Sequence, residues 1–429
     1  MKHILFIGDL RTVKNYGAVA TTESLLKLLK EEHVDAEYKY IDFRSLYNPT
    51  PVGGWPEIKK TTTWKRVVKR FLPLFLIGYV RRIRKGTSSA LSKASMDFVP
   101  YKFSQYEDYY DKMRNGYILQ YEKNLLDWAD IVYVNGEGNI VNGTDRHGKY
   151  RMGARYILFM LWVSKVKCAK PTLIVNHTVD PNNYNAFEMI SEVYPKLDKV
   201  LVREPLSIPI LEAHGVHNAI YVPDALFSYI PKKDWRPSEA LKSQIDFSKP
   251  YICLGDSSGI KNNYGHVSWD VVTVFTDIIN NLRTITPQIV LIDGFNGSNR
   301  DINKVVEENG IGCVKFSNCS YQDLCQVLSK AQLFISGRWH ASILSTIAKT
   351  PVLLWGSDSH KTKSLYTLLD YPYRFFEVSS LPANIPELVA EARKIIEDSS
   401  AIRNIMSTKV GLYKEETKKN ALVLNEFIK

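Results

Sequence analysis

The sequence predicts an α/β protein built from two Rossmann-like domains in tandem, each a parallel sheet with helices on both faces, the sheets facing a common cleft. Three observations predict it. Short apolar runs alternate with longer stretches whose apolar residues recur at helical spacing. At 429 residues the chain is too long for one ordinary core. A polar, proline-bearing segment, 231–250 ("PKKDWRPSEALKSQIDFSKP"), divides the series in two.

In the first series, "HILFIG" (3–8) is a strand and 18–32 a helix, followed by "EYKYIDF" as a strand. After an insert and a helical, acidic stretch to about 127, "DIVYVNG" (130–136) is a strand ending in a glycine loop. A buried helix (153–167), the strand "PTLIVNHT", a helix, the strand "KVLVRE", the helix "PLSIPILEAHG" with its glycine stop, and "AIYVPD" complete the set. The second series repeats the pattern from "YICLGDS" through "QIVLIDG", "CVKFS" and "LFIS" to "PVLLWG", with a helix after each of the first four. The expected organisation is an N-terminal domain over 1–235, a C-terminal domain over 248–385 and terminal helices over 386–429.

Composition is globular, with 45% hydrophobic and 24% charged residues. The formal charge of +11 is local: 58–96 holds eleven Lys or Arg and no acid, which leaves 45 basic and 45 acidic residues elsewhere. Within it, ten residues, "FLPLFLIGYV" (71–80), lie between basic clusters. That run is too short to cross a bilayer. It suits either an amphipathic contact with an anionic membrane surface or a helical hairpin packed on its own domain, and both readings stand. A nucleic-acid partner is disfavoured, because the apolar block interrupts the patch and no binding motif accompanies it. The start "MKHILFIGDL" reads as a buried strand rather than a signal peptide, and five cysteines without a C-x-x-C pair read as reduced thiols. The chain is therefore expected to be cytoplasmic, with no metal and no cofactor motif.

The candidate site residues all follow strands. "GDLRTVKNYGAV" places Asn15 and Gly17 before the first helix, where Gly17 lets a backbone approach a ligand, but it fits neither the dinucleotide nor the P-loop spacing. "NGEGN" sets Glu137 between glycines beside Asn135 and Asn139; a carboxylate there can orient or deprotonate a sugar hydroxyl. Arg203 in "VREPL" can fork two hydrogen bonds to a carboxylate or phosphate. His177 in "VNHTVD" and Asp224 in "VPDALF" also close strands. In "SGRWHASILS", Gly337 permits a sharp strand-to-helix turn, and Arg338, Trp339 and His340 open the helix; two potential cations at a helix N-terminus suit an anion.

Through "NYGAVATTESLLKLL", "NGEGN", "VREPLSIPILEAHGV" with "VPDALF", and "SGRWHASILSTIAKTPVLL", the chain resembles the polysaccharide pyruvyl transferase family. The resemblance implies a fold like the GT-B glycosyltransferases, phosphoenolpyruvate as donor substrate, and a glycan or lipid-linked oligosaccharide as acceptor. The product is a cyclic pyruvate ketal. It implies donor binding by Arg203, Arg338 and His340; Gly337 and Trp339, beside them in the chain, complete the expected donor side. His340 and Glu137 are the candidate catalytic residues, and Asn15, Gly17, Asn135, Asn139, His177 and Asp224 the acceptor side. Trp339 departs from the family's smaller aliphatic residue and narrows the donor pocket; "VNHTVD" departs from a glycine-rich strand end. Two other readings fit the residues: a GT-B glycosyltransferase with a nucleotide-sugar donor, and a non-catalytic, membrane-associated glycan-binding protein. A lipid-linked acceptor would give the basic insert a use at the inner membrane surface.

Overall fold

The computed structural model describes residues 1–42, 98–141, 152–262, 265–294 and 300–428. The basic insert 58–96 lies outside the described residues. The first sheet comprises β1 (His3–Asp9), β2 (Glu37–Asp42), β3 (Ile131–Val141), β4 (Thr172–Asp180), β5 (Lys199–Val202) and β6 (Ala219–Tyr221). The second half opens with β7 (Tyr251–Ser257) and a small antiparallel pair, β8 (Lys261–Asn262) and β9 (Gly265–His266). It continues with β10 (Gln288–Asp293), β11 (Gly312–Lys315), β12 (Leu333–Gly337) and β13 (Val352–Leu354). The orders are β2-β1-β3-β4-β5-β6 and β11-β10-β7-β12-β13, and every pairing within these two sheets is parallel.

The strands read as continuous apolar runs because both faces are covered. In β1, Ile4 and Phe6 join one core with Leu25 and Leu29, while Leu5 and Ile7 join another with Ile157 and Leu161. That is the two-residue period of a strand shared between two helical layers. Each sheet reverses its order once, between β1 and β3 and between β7 and β12. The loops leaving those four strands are the places where α/β sheets bind ligands.

The two halves are closely joined. The helix Tyr16–Glu32 sends Tyr16, Val19 and Ala20 into the core of the second sheet, with Leu226 and Phe227 beside them. Segment 231–250 is only partly a connector, since Leu241 of a short helix (Glu239–Lys242) and Ile245 are buried in that same core. At the other end the chain returns to the first domain. Tyr133 donates from its hydroxyl to the Asn420 carbonyl at 2.7 Å, and Ala421 and Leu424 pack with Ile4 and Phe6.

Two expectations about the first half are corrected. The strand at 130–136 does not end in a glycine loop: β3 runs on to Val141, with a register shift between Glu137 and Ile140. The helix expected over 153–167 is α-helical only for Met152–Trp162 and ends in a π turn, where Ser164 donates to the Met160 carbonyl at 2.6 Å. All five cysteines are free, and Cys253, Cys313, Cys319 and Cys325 are buried. Among the described residues no helix is long and apolar enough to cross a membrane.

Candidate active site

The segments after β1, β7 and β12, with the end region of β3, converge on a cavity of about 450 Å³ between the two halves. Asn15, Tyr16 and Gly17 line it from the first helix, Glu137, Gly138 and Asn139 from the end region of β3, and Arg203 from the turn after β5. The second half supplies Ser258 after β7, Arg338, Trp339 and His340 after β12, and Asp358 and Lys361 after β13.

Its centre is an ionic cluster drawn from both halves. Arg203 is buried, and its Nε donates to Thr178 Oγ1 at 3.0 Å. Its Nη1 lies 3.2 Å from Asp224 Oδ2, 3.4 Å from Glu137 Oε1 and 3.0 Å from His340 Nε2. The same His340 nitrogen is 3.3 Å from Asp224 and 3.6 Å from Glu137. It can accept from Arg203 only as a bare nitrogen and can donate to either carboxylate only as N–H, so no single form of the ring satisfies all three neighbours.

Asp224 holds this cluster together. It is fully buried at the start of a 3-10 turn, where Oδ1 accepts from Thr21 Oγ1 at 2.7 Å and from the Leu226 amide at 3.0 Å. Oδ2 accepts from the Trp339 indole N–H at 2.9 Å as well as from Arg203. Burial alone would raise its pKa; the charge and hydrogen bond of His340, then Arg203 and Trp339, reverse this and hold it well below the usual carboxylate range. Glu137 follows the same logic: burial raises it, and Arg203, His340 and the Gly138 amide together bring it below its ordinary value. Its backbone is left-handed, φ 46°, an unfavourable state for a residue with a side chain and one that clusters at functional sites.

Gly17 explains how His340 fits. A Cβ at Gly17 would stand 2.2 Å from His340 Nδ1 and 2.5 Å from its Cβ and Cγ. The close approach expected at this glycine is therefore made by a side chain of the other half. Gly337 likewise has no left-handed requirement; a Cβ there would meet Ser257 and Trp355 at 2.5 Å, so close packing demands the glycine.

The outer wall is also charged. Arg338 forms a two-point ion pair with Asp256, and because a guanidinium has no acceptor the helix Trp339–Ile347 has no side-chain cap. Its first-turn amides carry the positive end of the helix. Lys361 pairs with Asp358, which also accepts from Ser258 Oγ at 2.7 Å. Sequence reasoning missed Lys361, Ser258 and Asp256. The rule that found the others, polar residues just past a strand, points to Lys361 as well once "PVLLWG" is followed into "SDSHK".

Of the residues singled out in the sequence, Asn15, Gly17, Glu137, Asn139, Arg203, Arg338, Trp339 and His340 line the cavity. Asn15 spends its side-chain oxygen capping the first helix at Gly17 and Ala18, and Asn139 donates to the Gly136 carbonyl at 2.9 Å. Asn135, His177 and Asp224, expected on the acceptor side, are buried and are not among the cavity's lining. Asn135 ties Gly8 and Asn176 together. His177 sits between the Leu201 carbonyl and the Tyr194 hydroxyl, and burial pulls its pKa down to about 3, so it is a neutral packing residue. Gly337 lies behind Arg338 rather than in the cavity.

Residues 15–359 match the family described as polysaccharide pyruvyl transferase, a span that holds every lining residue except Lys361. The chain belongs to that family. Its members are transferases, and a polysaccharide acceptor follows from the family. No functionally curated protein matches the chain. Among solved structures it is similar to a putative UDP-N-acetylglucosamine 2-epimerase from Listeria monocytogenes, with a TM-score of 0.57, 11% identity and coverage of 100% of this chain and 96% of that one. A sucrose-phosphate synthase from Thermosynechococcus elongatus matches with a TM-score of 0.55 at 11% identity over 99% and 98%. An Anabaena protein, HepE, solved with UDP and glucose, matches at 0.54 and 10% identity over 99% of each chain. At such identities these likenesses establish the fold: this pyruvyl transferase family member has the GT-B-like architecture.

Proposed function

We propose that this protein transfers pyruvate from phosphoenolpyruvate to a sugar of a cell-surface glycan or of its lipid-linked precursor, forming a cyclic ketal. One observation supports this most: Arg203 and Lys361 line the same small cavity as His340, Glu137 and an uncapped helix N-terminus. The donor is compact and carries two anionic groups, so it needs cations at two points rather than one long groove. Arg203 and the helix end with Arg338 and Lys361 supply them.

The chemistry then divides between the halves. His340 gives a proton to the donor's methylene carbon, which leaves C2 cationic, and a sugar hydroxyl attacks there while Glu137 takes the hydroxyl proton. Departure of the phosphate, with its bridging oxygen and the electron pair of the C2–O bond, renews the cation. A second hydroxyl of the same sugar closes the ketal and releases its proton, so donor and diol become ketal and inorganic phosphate. An arriving dianion also competes with Glu137 for Arg203. Losing that partner makes Glu137 the better base at the moment it is needed. A lipid-linked acceptor gives the basic insert 58–96 a role at the inner face of a membrane.

The test is the melting temperature of the purified protein with phosphoenolpyruvate, set against a panel of nucleotide sugars, repeated on His340→Ala and Lys361→Ala. A ligand at 100 times its dissociation constant stabilises by about 2.7 kcal/mol. Stabilisation by phosphoenolpyruvate alone, lost in both variants, supports the reading. Stabilisation by a nucleotide sugar instead moves the chain to glycosyl transfer and sinks it.

A further inference from the structure

Beside the cavity, and outside its lining, a second buried ionic cluster joins the two halves. His360 stands just before the helix Lys361–Leu369 of the second half. Its Nε2 is 3.0 Å from Glu204 Oε1 and its Nδ1 is 3.2 Å from Asp180 Oδ2. Its amide donates to the same Asp180 oxygen at 3.0 Å. Asp180 ends β4 and Glu204 follows β5, so both carboxylates belong to the first half. Glu204 is fully buried; it accepts from Ser364 Oγ at 2.8 Å and from Ser207 Oγ, and among the described residues its one cationic partner is His360. A further bond, from the Leu206 amide to Ser364 Oγ at 3.5 Å, crosses the same boundary.

Both imidazole nitrogens face carboxylates, an arrangement that needs N–H on each and therefore an imidazolium. Burial opposes that charge, and the bonds to Asp180 and Glu204 overcome it, lifting the pKa to about 9. The charged pair at the start of this helix, Lys361 with Asp358 of the preceding turn, is a separate ion pair. The placement in the chain gives the cluster its meaning. His360 precedes Lys361, and Glu204 follows Arg203, so both ends of the His360–Glu204 contact are one residue, about 3.8 Å of backbone, from a cavity cation.

We propose that His360 is a positioning residue: by bridging Asp180 and Glu204 across the domain boundary it fixes the gap between Lys361 and Arg203 to the span of one small, doubly anionic donor. The donor part of this inference rests on the pyruvyl-transfer reading above; the bridge itself does not. Unbridged, the helix start would shift with the second half. A buried Glu204 without its cation would favour an opened, watered boundary.

The experiment takes the full chain as wild type, His360→Gln and Glu204→Gln, and measures two things. The first is hydrogen exchange over residues 357–365 and 204–208 in the ligand-free protein; the second is the dissociation constant for phosphoenolpyruvate. The inference expects exchange in both segments to quicken at least tenfold in His360→Gln, and phosphoenolpyruvate to bind at least tenfold more weakly. With a competent acceptor, KM for the donor would rise while kcat changes less than threefold, a split that general destabilisation does not produce. Glu204→Gln, which removes the buried charge, carries the same expectation should His360→Gln fold poorly. Wild-type exchange overturns the bridge. Faster exchange with unchanged donor affinity overturns the positioning role and leaves a structural contact. If the wild type ignores phosphoenolpyruvate, the pyruvyl-transfer reading falls, and exchange together with binding of inorganic phosphate decides the bridge by the same thresholds.

Discussion

Substituting Gly17 by alanine tests the centre of the site with one carbon atom. The new Cβ would lie 2.2 Å from His340 Nδ1 and 2.5 Å from two of its carbons, whereas comfortable non-bonded contact is about 3.5 Å. The imidazole must therefore retreat by roughly 1 Å. His340 Nε2 now stands 3.0 Å from Arg203 and 3.3 Å from Asp224, and hydrogen bonds fade beyond about 3.5 Å, so a shift of that size breaks at least one of them. Overpacking of this kind costs about 1–3 kcal/mol. Gly17 lies in the first turn of a helix, where alanine returns up to ~1 kcal/mol of propensity, so the net loss of stability is modest. The effect on the site is larger: a 1 Å misplacement of a reacting group typically costs on the order of 100-fold. The assay is calorimetric titration of Gly17→Ala with phosphoenolpyruvate, followed by phosphate release once an acceptor is in hand. Pairing it with His340→Gly isolates the cause, because the clash involves His340 Cβ as well as the ring and only glycine removes both: the double variant should melt higher than the two single losses added together predict. Wild-type donor affinity and turnover in Gly17→Ala, or simply additive losses of melting temperature in the double variant, would refute the reasoning.

Three further outcomes follow from the same contacts. Asp224→Asn loses the charge between Arg203 and His340 and leaves the buried guanidinium short of a counter-ion, which should lower stability by about 3–5 kcal/mol in chemical denaturation. Trp339→Phe keeps most of the ring but strips Asp224 of an indole N–H; a loss of about 1–3 kcal/mol is expected, with tighter binding of the donor counting against a structural role for that bond. The two shifted histidines give opposite pH signs. His177 is neutral when folded, so its contribution is complete above pH 6.5 and falls away as pH drops toward 3. His360 is charged when folded, so its contribution is complete below 6.5 and is lost as pH rises through about 9, on the order of 3 kcal/mol. Melting curves of His177→Phe and His360→Gln across pH 4–10 should flatten the acid and alkaline limbs respectively; unchanged limbs would contradict the assignments.

Much of the architecture is legible in one dimension, for a physical reason. A strand buried on both faces must be apolar throughout, and a helix on a sheet must repeat its apolar residues near every 3.6 positions, so "YICLGDS" and "TLIVNHTVD" declare themselves locally. The rule that ligands gather after strands picked out Glu137, Arg203, Arg338 and His340, and these line one cavity. The same rule could not tell a residue at the strand's open end from one just beneath it. Asn135 sits within β3, two positions before Glu137, and His177 within β4, which gives the cavity no lining residue; both side chains are buried. β3 also ran past its glycines, because the irregularity at Glu137 is absorbed by a register shift that no pattern in the sequence announces.

The sequence by itself determined the two parallel sheets, the strand-to-helix junctions and the residue types that can meet an anion, because these depend on neighbours a few positions apart. Only the tertiary structure decided who faces whom. That Gly17 makes room for His340, that Asp224 answers Thr21, Arg203 and Trp339 at once, and that His360 bridges Asp180 and Glu204 are all contacts between residues more than 20 positions apart, most of them more than 100. Those that cross between the halves exist only when two sheets dock. Their energies come from desolvating charges against one another, which no local periodicity encodes.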